Sequence, residues 1–169
     1  MSPRAKLIEP TVIKARRIIA EEFTPEQIKQ MDIYLNPVAK ADPLLAVNAL
    51  SSSTTLDESA SISLRGSSPA ETGIFFNHVP VYDAVKFAQI NGIGTFSLFN
   101  TSIVDRMHVF PGNPPLELGN STSGTVSIQS SNQIPENNIT SLSAGLASFG
   151  ALTTRKINAN CGMTLFGNY

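Results

Sequence analysis

Ile62-Ser63-Leu64-Arg65-Gly66-Ser67-Ser68-Pro69, followed closely by Gly73-Ile74-Phe75-Phe76-Asn77-His78-Val79-Pro80-Val81-Tyr82, is the stretch on which the fold turns. Ile62 to Arg65 alternates apolar and polar residues and stops at a glycine, which predicts a strand. Gly73–Phe76 and Val79–Tyr82 are β-prone runs around Asn77-His78, which predicts a hairpin with a two-residue turn. Asn accepts the left-handed backbone such turns demand, and His is a less usual second member than Gly.

Outward from this stretch, the C-terminal side continues in short strands. Asn100-Thr101-Ser102 predicts a capped helical turn through Ile103-Val104. Met107 to Phe110 reads as a strand ending at Pro111-Gly112, and Asn113-Pro114-Pro115 as a turn or extended kink. Thr125 to Ile128 is a further strand after the loop between Gly119 and Gly124, and Asn91-Gly92-Ile93-Gly94 is a flexible loop. On the N-terminal side, Thr24-Pro25-Glu26-Gln27 predicts a helix over about 25–34 with Thr24 as N-cap, ended by Asn36-Pro37. Asp42-Pro43 predicts a second helix over 43–50. Leu7-Ile8-Glu9-Pro10-Thr11-Val12-Ile13 is extended or an edge strand, because Pro10 cannot donate to a ladder.

The last forty residues differ. From Ile157 to Tyr169 the odd positions, Cys161, Met163 and Leu165 among them, are mainly apolar. The even ones are mainly small or polar, with Phe166 the exception. This reads as one strand with an apolar face, on which Cys161 is a buried small hydrophobe. Thr140 to Ala147 is a weaker version of the same alternation. Strands of this kind suit a transmembrane barrel, and also an ordinary antiparallel sheet, which is the commoner structure in proteins at large.

Charge is unevenly spread. The chain has 169 residues with 12 basic and 13 acidic side chains, 15% charged, against about 25% in an average soluble domain. Residues 1–42 hold seven of the basic and six of the acidic residues, while 107–169 hold only Glu117, Glu136, Arg155 and Lys156. A net charge of −1 argues against a nucleic-acid partner. One cysteine excludes an internal disulfide, and no apolar run is long enough for a transmembrane helix. Met1 to Leu7 lacks the apolar core of a secretory signal.

Catalytic chemistry finds little support. His78 and His108 are thirty residues apart without metal-ligand spacing. Asp83 and Glu71 are acidic but unpaired by any motif. Gly92-Ile93-Gly94 lacks the rest of a dinucleotide loop, and Gly112-Asn113-Pro114-Pro115 lacks the Lys-Ser/Thr of a phosphate loop. No catalytic residue, metal site or cofactor is expected.

In order along the chain, these segments resemble the TonB-dependent outer-membrane receptors. Ile62 to Pro69 resembles the family's "IS-apolar-RG" segment, and Phe75 to Tyr82 resembles its "apolar-apolar-D/N-G-V-P" hairpin. Ile103 to Gly112 is similar to the segment ending in "E-V-x-R-G", and Leu118 to Ile128 to the Gly-rich loop and last strand. Asn113 to Glu117 looks like an insertion of the Bacteroidota branch. His78, His108 and Pro111 depart from the family pattern.

The resemblance implies an α+β plug domain with a mixed β-sheet, short helices and long loops, followed by hairpin-like strands that begin a β-barrel. The implied organisation is an N-terminal extended segment over 1–20, a plug over 21–130 and an incomplete barrel start over 131–169, with two barrel strands at most. It implies a gating plug that occludes the barrel, takes part in energy-coupled uptake and does not transport alone. Arg65 is then the residue latching plug to barrel. Ser67, Ser68, Tyr82, Asp83 and Asn91 are the substrate-facing candidates, and Leu7, Ile8, Thr11, Val12 and Ile13 the energy-coupling segment. The implied partners are a β-barrel, a TonB-type protein, an unidentified small substrate and the outer membrane, with the N-terminus periplasmic. The alternative is a stand-alone secreted or periplasmic β-rich ligand-binding module.

Overall fold

The computed structural model describes residues 25–55, 59–86, 94–119, 121–131, 134–144, 149–159 and 161–168. The chain runs through β1 (Glu26–Lys29), α1 (Gln30–Leu35), α2 (Pro43–Val47), β2 (Thr72–Phe76), β3 (Val79–Pro80), β4 (Val85–Lys86) and β5 (Phe96–Ser97). It continues with β6 (Val104–Phe110), β7 (Gly124–Ser130), β8 (Ile139–Ala144), β9 (Phe149–Asn158) and β10 (Cys161–Asn168). Three sheets result: a five-stranded one in the order β1-β6-β7-β2-β3, a three-stranded one in the order β10-β9-β8, and the β4-β5 ribbon. A mixed sheet with few short helices is the α+β architecture expected; the three strands that follow it do not close into a barrel.

The five-stranded sheet is mixed because β2 lies parallel to β7, from Thr72↔Gly124 to Phe76↔Ile128, while β6 and β7 are antiparallel. Its centre is dry: Met107, Val109, Val126 and Ile128 are fully buried, with Leu44, Val47 and Leu64 packed into the same core. Gly124 must be glycine, since a Cβ there would lie 2.7 Å from both the Phe110 carbonyl oxygen and Leu64 Cδ1.

The helices form where the capping chemistry allows. The Asp42 carboxylate accepts from the Leu44 and Leu45 N–H groups at 2.9 and 3.2 Å, with Pro43 in the first turn, so α2 starts as expected. The first helix does not start at Pro25. Glu26 to Lys29 instead pairs with β6, Glu26↔Val109 to Lys29↔Arg106, and buries Ile28. Sheet pairing overrides the local helix signal. α1 begins only where the Lys29 N–H donates to Asp32 Oδ2 at 2.9 Å. Thr24 lies outside the described residues.

The Asn77-His78 turn is as expected. Both residues have positive φ, 47° and 68°, and Phe76 pairs with Val79 across the turn. Asn77 also prolongs the sheet: its Oδ1 accepts from the Ser130 N–H and its Nδ2 donates to Ser130 Oγ, both at 2.9 Å. Asn100 likewise caps the turn at Thr101–Ile103, accepting from the Ser102 N–H.

Three expectations are corrected. Ile62 to Arg65 is not a strand but a single bridge, Ser53↔Leu64. Two backbone bonds flank the bridge, Thr54 N–H to the Ser63 carbonyl and Arg65 N–H to the Ser52 carbonyl, and side-chain hydroxyls take the next groups, with the Ser63 N–H donating to Thr55 Oγ1 and the Gly66 N–H to Thr54 Oγ1. The 157–169 alternation is not one strand: Ile157 and Asn158 close β9, and β10 starts at Cys161, which makes three strands after the sheet rather than two. Cys161 is exposed, not buried: none of the described residues covers it.

Candidate plug site and barrel-facing surface

Arg65 sits in a turn that its neighbours over-determine. Its φ is +51° and that of Gly66 is +78°. The Arg65 N–H donates to the Ser52 carbonyl at 3.0 Å, and the Ser67 N–H to the Leu64 carbonyl at 3.1 Å. The Ser63 hydroxyl donates to the Ser67 carbonyl, which ties the turn across its base. The Arg65 guanidinium lies across Gly112, where a Cβ would fall 2.7 Å from Nη1. Gly112 has φ +118°, so glycine serves there both for backbone conformation and for room. Arg65 is exposed and has no carboxylate partner among the described residues.

The substrate-facing candidates divide. Tyr82, 85% exposed, and Asp83 line a groove of about 450 Å³ with Ser61, Ile62 and Ala70. Ser67 and Ser68 border the Arg65 turn outside that groove; the Ser68 N–H donates to Glu71 Oε2 at 3.0 Å. Asn91 and the segment Leu7, Ile8, Thr11, Val12 and Ile13 lie outside the described residues. His78 and His108 are not joined in a metal site: no group of three or more His, Cys, Asp or Glu side chains is gathered among the described residues. Burial and the nearby Arg106 charge hold the His108 imidazole below its ordinary value.

A second surface was not legible as such. β9 pairs with β8 from Ile139↔Thr154 to Ala144↔Phe149, and with β10 from Gly162↔Lys156 to Asn168↔Gly150. Paired residues share a face, so Ser143, Gly150, Leu152, Thr154, Thr164 and Phe166 lie on one side. That side meets the five-stranded unit. Leu152 packs on the main core, and a Cβ on Gly150 would lie 2.9 Å from Asn100 Nδ2. A cavity of about 570 Å³ remains between Leu152 and Phe166 on this side and Phe76, Asn77 and Ser130 on the other. The opposite side carries Leu142, Phe149, Met163 and Leu165, which are 83%, 66%, 40% and 55% exposed. The alternation of Gly150, Leu152 and Thr154 with Phe149, Ala151 and Thr153 is the signal that would have found it.

The TonB-dependent receptor plug-domain family matches residues 18–126. The chain belongs to that family. The matched residues take in β1 to β6, α1, α2, the Arg65 turn and the first residues of β7. The ferric enterobactin receptor of Pseudomonas aeruginosa, solved in a mutant form, has a similar structure: TM-score 0.60 at 16% identity, over 88% of this chain and 24% of the receptor. The likeness is one of fold, and the chain spans about a quarter of that receptor's length. No curated protein sequence matches. Members of this family are receptors of the outer membrane rather than enzymes.

Proposed function

We propose that this chain supplies the gating plug, over about 21–130, and the first three wall strands, over 131–169, of a TonB-dependent receptor. The plug occludes the barrel and yields during energy-coupled uptake. The observation that carries this reading is the two-sided β8–β10 sheet. One face is fitted to the plug through Leu152, and the other leaves Leu142 and Phe149 without cover. A wall between a filled lumen and lipid has this alternation. Three strands cannot close on themselves, so transport depends on the rest of the barrel.

Within this reading Arg65 latches plug to wall. A guanidinium held in a fixed turn, away from any acid of the described plug, is suited to bidentate pairing with a carboxylate of the barrel. The Tyr82–Asp83 groove, with Ser67, Ser68 and Asn91 nearby in sequence, receives the small substrate. Leu7 to Ile13 pairs by strand addition with a TonB-type protein in the periplasm. The apolar flank Met31, Tyr34, Leu35 and Val38, exposed in this chain, abuts the wall. A free-standing binding module has no use for the bare outer sheet face.

The test is Arg65→Ala in a receptor carrying the complete barrel, read by labelling, from the periplasm, of a single cysteine introduced into the plug. A latch predicts a severalfold rise in labelling rate. An unchanged rate would leave Arg65 a solvent-facing side chain.

A further inference from the structure

The outer face of the three-stranded sheet is uncharged until it reaches one residue. Its successive rungs are Ala144 with Phe149, then Leu142 with Ala151 and Gly167, then Thr140 with Thr153 and Leu165, and finally Arg155 with Met163. Arg155 is exposed and has no carboxylate partner among the described residues. It sits about 20 Å along the strand from Phe149, at six residues of extended chain, and three residues before the end of β9, with the exposed Ile157 between it and that end. The neighbouring cation, Lys156, falls on the other face, because adjacent strand residues point to opposite sides.

We infer that Arg155 anchors the β9–β10 turn end of this face to the phosphate of an anionic phospholipid at the membrane–water boundary. This rests on the reading of β8–β10 as barrel wall. An arginine costs several kcal/mol at mid-bilayer on a barrel surface but little at the interface, so its place towards the turn end of β9, with Ile157 the one large apolar residue beyond it in the strand, suits the boundary. Its methylene stem covers the sheet beside Met163 while the guanidinium reaches outward. The planar fork of donors fits phosphate oxygens in pairs. Apolar rungs lie on one side and Ile157, Asn158 and the turn on the other, and a headgroup is the occupant with complementary charge.

The test uses the full chain and co-sedimentation with two kinds of vesicle, phosphatidylcholine alone and phosphatidylcholine containing phosphatidylglycerol. The expected result is tighter binding to the anionic vesicles, with Arg155→Gln losing about fivefold of that preference, the effect of one basic residue near an anionic surface. Lys156→Gln, which removes the same charge one residue away on the plug-facing side, should leave the preference intact. Equal binding of wild type to both vesicles overturns the inference. So does an Arg155→Gln chain that keeps the full preference, or an equal loss from both variants, which would indicate unspecific charge attraction. The double variant Leu142→Ser with Leu165→Ser separates this from the underlying reading. It should weaken binding to both vesicles, and undiminished binding would show that the face does not meet lipid at all. Circular dichroism of each variant confirms that the fold is retained.

Discussion

The five-stranded plug sheet and the three-stranded sheet that follows it use similar side chains and treat them in opposite ways. In the first, Met107, Val109, Val126 and Ile128 are fully buried in one core that Leu44 and Val47 of α2 share. In the second, Leu142 and Phe149 stand open at 83% and 66% exposure, and only the inward side, through Leu152, joins the core. A leucine in the plug is held by protein; a leucine on the outer face is waiting for another solvent. On the proposed reading, the sparse charge after Ser130, where only Glu136, Arg155 and Lys156 are charged, follows from that second solvent. Polar but uncharged Ser and Thr side chains can line the inner face, and lipid excludes charge from the outer.

The comparison is sharpened most strongly by Leu44→Ala. Leu44 is fully buried in α2 against the sheet, and truncation there costs about 2–5 kcal/mol. A urea titration of the chain should show the midpoint fall with the slope unchanged. A change below about 0.5 kcal/mol would mean that the plug is no better packed than the outer sheet.

How legible these two regions were in the sequence follows the range of the interactions that build them. Asp42-Pro43, Asn77-His78 and Asn100 act on backbone groups two or three residues away, and each does what its chemistry announces. Pro25 to Lys29 carries a helix-start signal just as plain and is a strand, because the edge of β6 offers four pairings to which no local rule refers. Ile62 to Arg65 has strand periodicity, yet it pairs with the chain only around the Ser53↔Leu64 bridge, and the Thr55 and Thr54 hydroxyls take the Ser63 and Gly66 N–H groups on either side of it as the chain enters the Arg65 turn. The parallel contact of β2 with β7, Thr72 to Gly124, has no short-range trace either. In the outer sheet the period of two was legible but its direction was not: the continuous alternation from Ile157 hides the reversal before Cys161. Of the proposed site, the Arg65 turn and Tyr82–Asp83 were visible as motif residues. The plug-facing side of β9 was not, since only register tells which parity faces the core.

Asp42 tests a smaller effect within the plug. Its Oδ1 caps α2 and its Oδ2 accepts from the Ser97 N–H at 2.7 Å, so one carboxylate ties α2 to β5. Asp42→Ala should cost about 0.5–2 kcal/mol as a lost cap. Burial raises the Asp42 carboxyl above its ordinary value, against the opposing pull of the N–H donors of Ser97, Leu45 and Leu44. Between the ordinary and the raised value the folded chain holds more proton than the unfolded one, so stability from this group declines as pH rises through that window. The advantage of wild type over Asp42→Ala, measured by denaturation at stepped pH, should therefore be greatest at the acid end. An advantage that grew with pH would show that the N–H donors outweigh burial.

Leu142→Ala should do least of all in water, and that is its use. The same truncation as at Leu44 removes the same methyl groups, but Leu142 is 83% exposed and pairs with Ala151 on the bare face. With almost no surface removed from water on folding, the hydrophobic term has little to lose, and the expected change in urea is under about 0.5 kcal/mol. Moved into a bilayer the accounting reverses for the outer face alone: each methylene lost there forfeits contact with lipid, while Leu44 stays indifferent to the medium because protein surrounds it in both. Partitioning into vesicles should then fall for Leu142→Ala and hold for a folded Leu44→Ala chain. A Leu142→Ala chain that lost stability in urea as Leu44→Ala does would mean the outer face is covered by protein in solution, and the two sheets would be one core rather than a plug and a wall.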